Sequence, residues 1–292
     1  MQPLLTDKVL LVSGGTQGVG AGVVRAAVRE GASVAFTGRR PGAGQALVDE
    51  LATEDAGSPP LFVQCDLSDP AQASGSVQAV VDHFGRIDSL VNAAGLTTRG
   101  TLLDTDAALF DEHIAINLRA PFLTMQAAVR DLTERKAPGT IVNIISMASH
   151  GGQPYLSPYS AAKAGLAGLT RNAAFAHRWD RIRINGVNIG WTQTEGEDAI
   201  QRHFHSADDS WIEQAGRGVP MGKLGQVDEI ADFIVFLLSD RSGVVTGSII
   251  DWDPGRRRPL RLTHSTPHQP QGASDARRRG PSSLDHRTPR PS

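Results

Sequence analysis

KVLLVSGGTQGVG, residues 8–20, is the stretch on which the fold turns. Val9 to Val12 form a short apolar run, and such a run reads as a parallel strand covered on both faces. Ser13-Gly14-Gly15-Thr16-Gln17-Gly18-Val19-Gly20 then breaks it before a stretch with helical pattern. A glycine-rich turn from strand to helix lets backbone N–H groups approach a pyrophosphate, which sits on the positive end of the helix dipole. The spacing is GxxxGxG, at Gly14, Gly18 and Gly20. Alone it is a weak signal, because glycine-rich turns follow many strands. Its place behind the first strand of an alternating chain makes Gly14, Thr16, Gln17, Gly18, Val19 and Gly20 candidate contacts to a dinucleotide.

That alternation runs on. KVLLVS (8–13), SVAFTG (33–38), LFVQC (61–65), IDSLVN (87–92), TIVNIIS (140–146), IRINGVN (182–188) and GSIID (247–251) read as seven strands. Segments 18–30, 43–55, 70–84, 106–133, 158–178 and 226–238 have helical length and period. Strict alternation predicts right-handed crossovers and an α/β fold: a doubly wound, Rossmann-type, seven-stranded parallel sheet with helices on both faces. Residues 1–253 read as a single domain. The longest break, 193–218, carries Glu195, Glu197, Asp198, His203, His205, Asp208, Asp209 and Trp211. A long late connection of this kind suits a substrate lid, with a solvated helical excursion as the rival reading.

Residues 254–292 are different in kind. Nine are Arg and seven Pro, with no Ile, Val, Phe, Tyr or Trp, so disorder is expected there. A basic interaction arm and a functionless extension both fit; the composition, which would also arise from an out-of-register reading of a GC-rich coding sequence, favours the extension.

The whole chain has 292 residues and a formal net charge of −2, which leaves residues 1–253 clearly acidic. An acidic body argues against nucleic-acid binding by the folded domain. One cysteine, Cys65, excludes an intrachain disulfide and a Cys-based zinc site. It fits a reducing compartment, so a cytoplasmic location is expected. No signal peptide is read at the N-terminus, and no apolar run approaches the roughly 20 residues that span a bilayer.

Cofactor choice is legible at the second strand end, Thr37-Gly38-Arg39-Arg40. Sites selective for NAD commonly place a carboxylate there for the ribose 2′-OH. Gly38 offers none, and Arg39 suits a 2′-phosphate. The reading is NADP(H) preferred over NAD(H), against two solvated arginines on a loop. Asp66 and Leu67, after the third strand, are placed to meet the adenine amine and ring, with a plain surface Asp as the alternative.

Tyr159-Ser160-Ala161-Ala162-Lys163 follows Ser157-Pro158, a favourable N-cap and first helical residue. Tyr159 and Lys163 then share a helix face at i and i+4. A nearby ammonium and the helix N-terminus would both favour tyrosinate, making the phenol an acid/base near neutral pH. Ser146 ends the fifth strand, the end at which open α/β sheets place ligands.

Taken together, SGGTQGVG (13–20), NAAG (92–95), Asn117, Ser146, YSAAK (159–163), NGVNIGWTQT (185–194) and PMGKLGQVDEIA (220–231) resemble the short-chain dehydrogenase/reductase (SDR) family in its short single-domain branch, over about residues 6–253. The resemblance implies an NAD(P)-dependent oxidoreductase acting on CH–OH donors. It implies Tyr159 as catalytic acid/base, and Lys163 lowering its pKa and holding the nicotinamide ribose. Ser146 would bind the substrate oxygen, and Asn117 would anchor a proton-relay water. Asn92, Ala93 and Gly95 would pack beside the cofactor, with Ile189, Thr192 and Thr194 near the carboxamide and pyrophosphate. His150, Gln153 and Trp191 fall where the family lines its substrate pocket. It further implies a small alcohol or ketone as substrate and a homotetramer or dimer, through helices 106–133 and 158–178.

Two departures stand out. Ser13 replaces the family's usual Thr, and either hydroxyl could hold the turn. Ile189 replaces a Pro, which would loosen the loop facing the nicotinamide. His203 and His205 lie two apart on a helical segment and do not share a face, so no metal site is expected. The rivals are C=C reduction, epimerase or dehydratase chemistry on the same site, and a nucleotide-binding regulatory protein without turnover.

Overall fold

The computed structural model describes residues 3–52, 59–253 and 255. The chain beyond Asp253, apart from Gly255, and the end of the helix expected over 43–55 lie outside the described residues. Seven parallel strands form one sheet in the order β3-β2-β1-β4-β5-β6-β7. They are β1 (Val9–Ser13), β2 (Ser33–Gly38), β3 (Leu61–Gln64), β4 (Ser89–Asn92), β5 (Gly139–Ile144), β6 (Ile182–Ile189) and β7 (Ile249–Trp252). Between them run α1 (Gly18–Arg29), α2 (Pro41–Ala52), α3 (Pro70–Phe84), α4 (Ala107–Ile114), α5 (Ala120–Glu134), α6 (Ser157–Ala176), α7 (Glu195–His205), α8 (Trp211–Arg217) and α9 (Val227–Leu238).

β1 shows why a continuous apolar run is needed. Strand side chains alternate faces, so Leu10 and Val12 join a core built with α1 and α9. Val9 and Leu11 join a second core, with Val77 of α3 and Met125 and Leu132 of α5, on the opposite face. The chain reverses direction of growth between β1 and β4, which pair through Ser13 and Asn92. A crevice opens at the C-terminal ends of strands at such a switch point.

Just below that crevice a buried polar chain crosses the sheet. Thr124 donates to Asn92 Oδ1 (2.7 Å), Asn92 Nδ2 to Asn143 Oδ1 (2.9 Å), and Asn143 Nδ2 to Thr170 (2.9 Å). Thr124→Val keeps the shape and strands the Asn92 oxygen, so we expect a loss of about 2 kcal/mol in chemical denaturation.

Three differences from the sequence reading stand out. The helix expected over 106–133 is two helices joined by a π-turn, Ala115–Arg119. The last strand begins at Ile249 instead of Gly247, because Gly247 sits at φ 71°, outside the strand region. Ser157 is the first helical residue of α6 rather than its cap, and its hydroxyl donates to Pro154 O.

Candidate active site

The glycine turn is built by close approach. A Cβ on Gly20 would lie 2.1 Å from the Gly14 carbonyl oxygen, and one on Gly14, at φ 81°, would lie 2.6 Å from Ala94 Cα. The hydroxyl that holds this turn belongs to Thr37, which accepts from Gly14 N–H at 2.9 Å. The carbonyl of Ser13 accepts from both Ala93 and Ala94 N–H at 2.9 Å. α1 has no acidic residue in its first turn, and Gln17, at the N-cap, makes no side-chain cap bond. Its amide oxygen instead accepts from Arg40 Nη2 at 2.7 Å. Val19 is buried beneath the turn, and Thr194 stands over it, with Cγ2 3.6 Å from where a Gly18 Cβ would be.

Next to the turn, a cavity of about 480 Å³ is lined by Arg39, Gln64, Cys65, Asp66 and Gln72. Thr16 closes against the end of β2: a Cβ on Gly38 would meet its Cγ2 at 2.3 Å. Asp66 accepts from Ser68 N–H and Oγ (2.9 and 2.8 Å), and these bonds hold its carboxyl below the usual range. Leu67 is buried beside it. A bare glycine cradle at a helix N-terminus, with an arginine-lined cavity alongside, fits a dinucleotide phosphate and its adenosine end.

Tyr159 and Ser146 come together just past the C-terminal end of β5, where Ser146 Oγ accepts from Ala148 N–H at 3.1 Å. Lys163 is buried below, donating to Ile144 O at 2.8 Å, with its Nζ 5.8 Å from the Tyr159 ring centroid. The expected drop in the tyrosine pKa does not occur in the chain alone. Burial pushes the phenol up to about 12, against the opposing effect of the Ser146 hydroxyl, and pushes Lys163 down to about 8. Desolvation dominates because both side chains lie inside the protein and the ammonium is spent on a carbonyl.

Asn117 lies in the π-turn, where its amide clamps the loop after β4: Oδ1 accepts from Leu96 N–H and Nδ2 donates to Leu96 O, both at 3.0 Å. Its other amide hydrogen faces His113 Nδ1 at 3.2 Å, while His113 Nε2 lies 3.1 Å from Thr98 O. Both amide hydrogens are thus engaged by protein, and the side chain locks the loop after β4. Gly95 passes beside this clamp, 3.6 Å from Asn117 Oδ1 at its would-be Cβ. His113 is fully buried, with its pKa lowered by burial, and meets the Tyr159 ring edge-on at 6.2 Å. The sequence reading missed His113, although its i, i+4 spacing to Asn117 is the same signal that singled out Tyr159 and Lys163.

The segment after β6 frames the site. Ile189 pairs with Trp252 at the end of the β6–β7 ladder and packs against the core. Thr192 is buried and donates to Gly190 O. Thr194 caps α7 by accepting from Glu197 N–H. α7 buries none of its residues, and α8 buries Trp211 and Gly216. The two are tied down by indoles: Trp191 Nε1 donates to Glu197 (2.8 Å), Trp211 Nε1 to Asp198 (2.7 Å), and the rings stack at 6.0 Å. Trp191 therefore anchors α7. His150 is held by Asp251 and Asn188, each at 3.2 Å, and the Gln153 carbonyl accepts from Leu156 N–H. Among the described residues no cluster of His, Cys, Asp or Glu could hold a metal, and no helix is long and apolar enough to cross a membrane.

The chain resembles known proteins along most of its length. A family profile described as enoyl-(acyl carrier protein) reductase matches residues 14–256. Trans-4-hydroxycyclohexanecarboxylate dehydrogenase of Sinomonas cyclohexanicum is 34% identical over 86% of this chain and 93% of its own. 2-(S)-hydroxypropyl-CoM dehydrogenase 3 of Xanthobacter autotrophicus is 32% identical over 87% and 98%. The crystal structure of a short-chain type dehydrogenase/reductase from Mycobacterium marinum superposes with a TM-score of 0.79 at 30% identity, covering 88% of this chain and 98% of that one. With this fold, this glycine cradle and these relatives, the chain belongs to the short-chain dehydrogenase/reductase family of nicotinamide-nucleotide oxidoreductases acting on alcohols and ketones.

Proposed function

We propose that this enzyme interconverts a secondary alcohol and a ketone with NADP(H) in preference to NAD(H), using Tyr159, Ser146, Lys163 and Asn117. The observation that carries the reading is the gathering of Tyr159 and Ser146 at the strand end, with Lys163 buried one helical turn below and its Nζ 5.8 Å from the phenol ring centroid. Two hydroxyls converge where one substrate oxygen can accept from both. The glycine turn would hold the pyrophosphate of the dinucleotide, whose nicotinamide, when bound, would be the source or acceptor of the hydride. Tyr159, kept protonated by its burial, gives its proton to the carbonyl oxygen in reduction and recovers it in oxidation. Lys163 places a positive charge beneath the phenolate, and Asn117 fixes the loop that flanks it. The helices over 195–217 act as a lid that excludes water once substrate is seated.

Preference for NADP(H) rests on Arg39 in the wall of the cavity, with no carboxylate at Gly38. Arg39→Gln is expected to raise the KM for NADPH about tenfold while leaving that for NADH nearly unchanged, as read by initial rates with each nucleotide. Exposed Phe110, Phe122 and Phe175 on α4, α5 and α6 support a homo-oligomer, a tetramer or dimer, and we place the enzyme in the cytoplasm.

The S. cyclohexanicum and X. autotrophicus relatives are named for hydroxylated substrates, which favours carbonyl chemistry. The profile's description favours a second reading, reduction of C=C. Deuterated NADPH with a panel of ketones and enones separates them. Deuterium on a new carbinol carbon supports the first reading, and deuterium on a saturated carbon beside an intact carbonyl supports the second. Isomerised product without net cofactor oxidation would point to epimerase chemistry. Stoichiometric nucleotide binding without turnover would overturn all three.

A further inference from the structure

Arg99 lies in the loop after β4, four residues past Gly95, and no function described so far uses it. Gly100 is bridged to the segment leading into α6: Gly100 N–H donates to Tyr155 O and Ser157 N–H to Gly100 O, both at 3.0 Å. This bridge brings Arg99 beside the helix turn that carries Tyr159. The guanidinium sits over the Tyr155 ring, 5.2 Å from its centroid, and Tyr155 in turn meets His205 of α7 edge-on at 6.1 Å. Arg99 Nε is buried and has no hydrogen-bond partner. Among the described residues, no carboxylate lies within ion-pair distance of Arg99.

A buried guanidinium nitrogen without an acceptor is costly and calls for an explanation. Tyr155 compensates only the face of the cation. The N–H groups point outward in the guanidinium plane, and the buried Nε edge is half of the two-pronged fork that matches a planar carboxylate. Among the acidic residues of the lid, Glu197, like Arg99, acts by its charge on the Tyr159 phenol. Its carboxylate is already spent on Trp191 Nε1 and Gln201 Nε2, both at 2.8 Å. No acceptor for Arg99 Nε lies among the described residues, and one brought by a ligand would enter beside Tyr155 and the start of α6.

We infer that Arg99 is a substrate-binding residue and that the alcohol or ketone turned over at Tyr159 carries a carboxylate, held side-on by the Arg99 fork. The inference rests on the alcohol/ketone reading of the same site. It narrows the substrate class to hydroxy and keto acids, and it gives the loop after β4 a role in specificity.

The test pairs keto acids of graded length with their methyl esters, using the full chain and NADPH. In parallel, calorimetry measures binding of each acid and ester to the protein loaded with NADP⁺. For the best-fitting length, wild type is expected to favour the acid over the ester by about tenfold or more in kcat/KM and in affinity. Arg99→Gln should bring that ratio close to one, and Arg99→Lys, which keeps the charge and loses the fork, should retain part of it. The ratio is the readout because Arg99 also acts on the Tyr159 phenol, an effect shared by acid and ester. Equal handling of acid and ester by wild type, a ratio unmoved by Arg99→Gln, or no binding of any acid overturns the inference, and ester turnover would then leave the Tyr159 chemistry standing. If acids bind through Arg99 yet neither acid nor ester is reduced, the inference holds and the alcohol/ketone reading fails.

Discussion

Tyr159→Phe lowers kcat by about 10²–10⁴-fold and leaves the affinity for nucleotide within a small factor of wild type. The size follows from removing a positioned proton donor in a site closed to solvent. The phenol stands with the Ser146 hydroxyl at the strand end, so its loss also leaves Ser146 as the sole donor to the substrate oxygen. Nucleotide affinity is spared because the phosphate cradle, Gly14 to Gly20, runs from the end of β1 into α1, and the cavity around Arg39 lies at the ends of β2 and β3, all apart from α6. Fluorescence titration with NADPH and initial rates on one preparation give both numbers. Turnover close to wild type would remove Tyr159 from the proton step.

Direction and pH are coupled through the same group. Burial pushes the phenol up to about 12, so at neutral pH the chain alone presents an acid, the form that ketone reduction uses. Alcohol oxidation needs the base form, whose population rises tenfold per pH unit below that value. Oxidation kcat/KM is therefore expected to climb with pH from neutrality, while reduction stays level. An oxidation profile that is flat, or falls, over that range would mean that another group takes the proton.

The parts of the site legible in the sequence are those fixed by local chirality and short spacing. Gly14 and Gly18 occupy positive φ, and Gly20 admits no Cβ against the Gly14 carbonyl; few sequences satisfy that geometry. Tyr159 and Lys163 are set one helical turn apart by the helix itself. The π-turn at Ala115–Arg119 was not legible, because one widened turn inside a long apolar-periodic stretch leaves the periodicity nearly intact. Thr37 holding Gly14, and the bridge bringing Arg99 beside Tyr155, join residues far apart in sequence that only the sheet order brings together. The raised phenol pKa was missed for a related reason. Spacing reveals that an ammonium is near, but whether it faces the phenol or a strand carbonyl depends on the packing around both.

Lys163→Met is expected to cost turnover severely and yet raise the unfolding free energy at neutral pH by about 3 kcal/mol. The gain comes from burial: the Lys163 ammonium is pushed from 10.5 in the unfolded chain to about 8 in the fold, and each pKa unit corresponds to about 1.4 kcal/mol. Below about pH 8 both states carry the proton, and the fold bears the full cost of holding a desolvated charge whose hydrogen bond goes to the Ile144 carbonyl. Between about 8 and 10.5 the folded lysine is neutral while the unfolded one still binds a proton. Wild-type stability from this group therefore rises with pH across that window. A methionine has no such cost at any pH and fills a similar volume, a replacement that commonly stabilises. The advantage of the variant should thus be largest at neutral pH and shrink toward pH 10, in denaturant titrations at a series of pH values. A variant less stable than wild type at neutral pH would mean that the bond to Ile144 outweighs desolvation. The lysine would then be structural, and its placement beneath Tyr159 would lose its chemical reason.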